Sequence, residues 1–151
     1  MDHAFLEHLL RATLEITHAE RGLVVDQNLN VLQTHNIDPE EIESEKFKAF
    51  AIANLREAMA MDDPVIANDV ITDVSEAPTT NTNFANLRIA VALPISTIGA
   101  VYIDRRIRHG VIPRNVIDRI MRLVAHITKT QVTINNSADL VKLYEELETH
   151  S

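Results

Sequence analysis

The stretch Leu87-Arg88-Ile89-Ala90-Val91-Ala92-Leu93-Pro94-Ile95, followed across Ser96-Thr97 by Ile98-Gly99-Ala100-Val101-Tyr102-Ile103-Asp104-Arg105-Arg106-Ile107, decides the fold. Both runs are rich in β-branched residues at alternate positions and are joined by a short turn, so they read as neighbouring strands near the centre of a sheet. Successive strand side chains point to opposite faces. Ala100, Tyr102 and Asp104 therefore share one face, and Val101 and Ile103 the other. The Val101 face suits packing against helices. The Tyr102 face admits two readings: it meets a ligand pocket, or Tyr102 fills the core while Asp104 closes a turn with Arg88 or Arg106.

Working outward, Phe5, Leu9, Ala12 and Ile16 repeat at helical spacing, with Leu6 and Leu10 widening the stripe and Asp2 placed to cap it. Leu23 to Val25 and Leu29 to His35 are β-prone runs separated by Asp26-Gln27-Asn28. They predict a hairpin in which Asn28 supplies the left-handed conformation of a tight reversal. After Asp38-Pro39-Glu40-Glu41, Ser44 is placed to cap a helix whose apolar side is Phe47, Phe50, Ala51, Leu55 and Ala58. Asp62-Asp63-Pro64 ends that helix, since the residue before a proline is pushed out of the α region, and Val65-Ile66-Ala67 supplies another strand. From Val70 to Asn86 neither period holds, and Thr79, Thr80, Asn81, Thr82 and Asn83 dominate. A long loop of this kind in a compact domain usually binds or covers something. Pro113 suits a helix start, and Val116, Ile117, Ile120, Met121, Val124 and Ile127 make a wide apolar stripe after it. Asn136 or Ser137 can cap a short last helix bearing Leu140, Leu143, Tyr144 and Leu147. Helix, two strands, helix, strand, loop, two strands and helix is neither a repeat nor an alternating β-α-β series, so an α+β fold with a mostly antiparallel sheet follows.

Composition bounds the function. A chain of 151 residues suits one domain with one core, here residues 1–134, with 135–151 as a helical extension or linker. No apolar run approaches the roughly 20 residues of a membrane span, and no secretion signal opens the chain, so a cytoplasmic protein with no membrane partner is expected. Cysteine is absent, which removes thiolate metal sites, thiol nucleophiles and covalent bilin attachment. The net charge of −8 argues against nucleic acid as a partner, the local patch Arg105, Arg106, Arg108 and His109 reading as a solvated strand end.

Four segments together resemble a known family. Arg21-Gly22-Leu23-Val24-Val25-Asp26, Asp63-Pro64-Val65-Ile66-Ala67-Asn68-Asp69, Leu87-Arg88 through Leu93-Pro94-Ile95, and Gly99-Ala100-Val101-Tyr102-Ile103-Asp104 look like strands of bacterial GAF domains, in the family's order and spacing, across roughly residues 3–134. Ile89 stands where serine is common, and Ala92 where many relatives have cysteine. The resemblance implies a GAF-like, profilin-like six-stranded antiparallel sheet with helices on both faces, the first and last helices forming a bundle through which homodimers join. It also implies a signalling role: a regulatory sensor of a small molecule in bacterial signal transduction or transcription control, with no catalysis of its own and its output on a separate protein or domain. Family members that reduce free methionine sulfoxide or carry bilin need cysteine, so those activities do not fit, and the Asn-Lys-Phe-Asp-Glu motif of cyclic-nucleotide-binding relatives is missing.

The residues add little conventional chemistry. Seven histidines offer no pair at the spacing that sets two ligands on one helix face, so no metal site is expected; a lone His126 reads as a packing or surface residue, so haem is not expected either. Asp69 and Asp73 beside Ser75 present carboxylates to a ligand or cap a turn. No Gly-x-Ser-x-Gly elbow or Gly-rich phosphate loop occurs. The ligand site expected from this reading comprises Thr79, Thr80, Asn81, Thr82 and Phe84 from the loop, with Arg88, Tyr102 and Asp104 from the sheet; Arg88 would favour an anionic group. The competing expectation is an interaction module joining subunits through its terminal helices, its pocket vestigial and filled by Tyr102. The four-three spacing of Ile120, Val124, Ile127, Gln131, Ile134, Ala138 and Val141 suits such pairing, although Gln131 and Asn135-Asn136 interrupt it.

Overall fold

A computed structural model describes residues 3–71, 87–106 and 109–149. The chain runs α1 (His3–Thr17), β1 (Arg21–Asp26), β2 (Val31–His35), α2 (Pro39–Glu43), α3 (Glu45–Phe47), a π-helical turn (Lys48–Ile52), α4 (Ala53–Met61), β3 (Val65–Ile71), β4 (Leu87–Ile95), β5 (Gly99–Arg106), α5 (Arg114–Thr130) and α6 (Ser137–Thr149). Among the described residues the strands form one five-stranded sheet in the order β2-β1-β5-β4-β3, with every pairing antiparallel. The six-stranded GAF sheet is therefore not the architecture of this chain. Its sixth strand came from the family resemblance, whereas the β-prone runs of the sequence are five, and each finds an antiparallel neighbour.

The two deciding strands lie side by side, with β5 at the centre of the order. Their alternation divides the interior into two cores. On one face Val24, Ile89, Val91, Leu93, Val101 and Ile103 join the apolar stripes of α1 and α5. Leu140 and Tyr144 of α6 close that core, with α6 lying against α1 and α5. On the other face Leu23, Val25, Ala90, Ala92, Ala100 and Tyr102 meet Phe47, Ala51, Leu55 and Ala58. Alanines on both sides of this second contact let α4 lie close to the sheet, and the Tyr102 and Phe47 rings take the remaining volume edge to face, 5.8 Å between centroids.

Local signals account for most boundaries. Ser44 Oγ accepts from Phe47 N at 3.1 Å, Asp62 ends α4 in the left-handed region, and Asn136 Oδ1 accepts from Asp139 N at 3.0 Å. Pro113 sits at the N-cap position, one residue before α5. In the β1–β2 turn the left-handed residue is Leu29 (φ 66°), not Asn28. Asp26 Oδ1 accepts from the backbone N–H groups of Asn28 and Asn30, and this Asx-type arrangement places the reversal one residue later than composition suggests.

Candidate functional site

Strand register builds a buried charge cluster at one end of the second core. Arg21 on β1 stands directly opposite Asp104 on β5, and Ala90 on β4 flanks Asp104 from the other side. Arg88 lies two residues before Ala90, on the same face. Because Ala90 occupies little volume, both guanidinium groups reach the one carboxylate. Asp104 Oδ1 accepts from Arg21 Nε at 2.9 Å and Arg88 Nη1 at 3.0 Å. Its Oδ2 accepts from Arg21 Nη2 at 2.7 Å and from the Tyr102 hydroxyl at 2.9 Å.

Asp104 and Tyr102 are both fully buried, at 0% exposure, which decides against an open pocket over them. Burial, reinforced by the neighbouring Asp104 carboxylate and the hydrogen bond to it, pushes the Tyr102 phenol well above the ordinary tyrosine range. The Arg21 guanidinium is raised: burial opposes its charge, and Asp104 and then Glu41 outweigh that penalty. A carboxylate with both oxygens occupied by fixed donors is a structural anchor and is poorly placed to take a proton from a substrate.

The cluster extends to the surface in two directions. Arg21 Nη1 donates to Glu41 Oε2 of α2 at 2.5 Å. Arg88 Nη1 donates also to Glu20 Oε1 at 2.8 Å, and Glu20 in turn accepts from Arg106 N and faces His109 Nε2 at 3.3 Å. Burial alone would raise the Glu20 carboxyl, but the Arg106 N–H and the Arg88 charge hold it below its usual value. The basic strand end is thus tied down: Arg105 donates to the carbonyls of Thr17 and His109. Arg108 lies outside the described residues.

The expected ligand residues are only partly brought together. Arg88, Tyr102 and Asp104 do converge, but on one another. Thr79, Thr80, Asn81, Thr82 and Phe84 lie outside the described residues, as do Asp73 and Ser75. Asp104 closes no turn: its partners come from three strands, and Arg21 is 83 residues away in sequence. The sequence reading has Arg21 only as part of a strand motif and Glu41 only as part of an acidic stretch before a helix, and it passes over Glu20. The available signal was parity, since Arg21, Leu23 and Val25 alternate onto the Tyr102 face.

A separate groove of about 640 Å³ lies between the start of β2 and the irregular helical run. Leu29, Val31, Ile42 and Ile52 supply its apolar lining, and Lys48 and Arg56 its cationic side chains. Among the described residues no three histidine, aspartate or glutamate side chains gather as a metal site, and no helix is long and apolar enough to cross a membrane.

No family model matches the chain, that of GAF domains included, and no curated protein matches it. A structural match is MglB of Myxococcus xanthus, at 12% sequence identity and a TM-score of 0.45, covering 97% of this chain and 99% of that one. The GAF resemblance does not hold. Its four strand motifs are short apolar patterns that any antiparallel sheet of this kind requires, and the sheet they build here has five strands.

Proposed function

We propose that this chain is a regulatory interaction module that acts through protein contacts, assembles as a homodimer and passes its output to a separate protein, with no catalysis of its own. One observation carries the reading: the sheet face that a sensor would open to a ligand is filled, with Tyr102 and Asp104 at 0% exposure beneath α4 and the α3 segment. A domain that spends its inner faces on packing acts through its outer ones. The side formed by α1, α5 and α6 supports pairing, because Leu14, Val116, Met121, Val141, Leu143 and Leu147 flank the first core and are only partly buried. Sedimentation velocity over a concentration series tests this. A dimer that Leu143→Asp converts to a monomer with an unchanged circular dichroism spectrum is expected; a wild-type protein that stays monomeric throughout would sink the proposal.

A second reading, small-molecule sensing, is favoured by the groove beside β2, whose mix of apolar lining and charged side chains suits an amphiphilic ligand. It predicts that a metabolite panel raises the melting temperature of wild-type protein and that Ile52→Trp, which fills the groove, abolishes the shift.

A further inference from the structure

We infer that α2 is a hinged strap, latched shut by the Glu41–Arg21 ion pair, that controls access to the groove beside β2. This goes beyond the interaction reading and holds whether or not the chain dimerises.

The strap has little of its own to hold it. Helix α2 is five residues long and buries no side chain fully. Its flanks are extended single residues, Asp38 (φ −67°, ψ 143°) and Ser44 (φ −69°, ψ 145°), which separate it from β2 on one side and from α3 on the other. Beyond those joints the chain is anchored again, by Ile37 at 5% and Phe47 at 6% exposure. Such a layout, with fixed points outside and an extended residue at each joint, lets the segment between them come away while its anchors stay, although at the second joint Ser44 Oγ donates to Glu41 O at 2.7 Å as well as accepting from Phe47 N.

The latch is one charge pair on a fixed post. Arg21 gives Nε and Nη2 to the fully buried Asp104, so its position does not depend on Glu41; only Nη1 faces the strap. Among the described residues the other α2 ion pair, Glu43 with Lys48, crosses the Ser44 joint to the π-helical turn, but both side chains are mostly exposed to water, so it holds the strap only weakly. Ile42 supplies the apolar part of the closure, partly buried against the second core.

The latch bears on the groove because Ile42 and Glu43 of α2 belong to its lining, together with Leu29 to Val31 and with Ile52 of the π-helical turn. Lifting α2 removes that part of the lining. A five-residue helix detached from its support does not persist in water, so the lifted strap also loses the hydrogen bonds from Glu41 N and Ile42 N to Asp38 O and from Ser44 N to Glu41 O.

Amide hydrogen exchange of the full chain tests the latch directly. Glu41→Gln keeps size and shape but discards the charge, and about ten-fold faster exchange is expected at Glu41, Ile42 and Ser44, with α1 and β5 unchanged. Asp118→Asn, which breaks the exposed Arg114–Asp118 pair on α5, should leave the strap amides at wild-type rates. Two results would overturn the inference: strap amides in Glu41→Gln that exchange as in wild type, or an equal acceleration in every element, which would make the pair a general stabiliser and not a latch.

Discussion

Asp104 gathers the charge that the second core contains, and its partners set the cost of losing it. Asp104→Ala leaves Arg21 and Arg88 with no carboxylate between them, and a loss of about 3–5 kcal/mol is expected in urea denaturation. Tyr102→Phe removes one donor of four and should cost about 1–2 kcal/mol. The two variants ranked the other way would contradict the geometry described. Glu20 adds a pH dependence of known sign. Its folded carboxyl is held below the ordinary value of 4.5, so its contribution is present above that pH and is lost as pH falls through the folded value. Glu20→Gln should therefore flatten the acid side of the stability profile while changing its slope little at neutral pH. Little of this cluster was legible in the sequence. Tyr102 and Asp104 stood out because strand alternation set them on one face, but Arg21 meets Asp104 across 83 residues, and no local pattern reports a partner at that distance.

The elements are held by how closely they approach, and small residues set that approach. Ala90, Ala92 and Ala100 on the sheet face Ala51 and Ala58 from the helical layer. Ala92→Phe should wedge the layers apart and destabilise by about 1–3 kcal/mol, read from the midpoint of chemical denaturation. Gly99 has a different constraint. A Cβ there would fall 2.1 Å from the Val25 carbonyl oxygen, so even Gly99→Ala must shift backbone between β1 and β5. A wild-type midpoint for that variant would show that the register at Asp26–Gly99 differs from the one described. Strands and main helices were readable from the sequence because alternation and helical stripes are local and repeat; α1, β4, β5 and α5 stand where their stripes lie. The alanines were readable as apolar but not as spacers, since a small side chain signals close approach only once its opposite neighbour is known. The left-handed Leu29 was likewise hidden, because Asp26 moves the reversal by hydrogen bonds that composition does not reveal.

At the scale of the whole molecule, two cores on opposite sides of one sheet leave its outer surfaces for function. The first core is ringed by half-buried aliphatic side chains on α1, α5 and α6, and the second is closed by α4 and Tyr102. That asymmetry supports the proposed reading of partners over pocketed ligands, and the five-stranded sheet separates this chain from the six-stranded architecture its strand motifs imitate. Sheet order was the scale least legible in advance: five β-prone runs can pair in many orders, and only the packed molecule shows β5 between β1 and β4. The most direct measurement is native mass spectrometry of the purified full chain, which reports subunit count and retained small molecules in one spectrum. The account predicts a dimer at twice the 17.0 kDa chain mass with no added ligand mass. A monomer carrying a stoichiometric small molecule would contradict it.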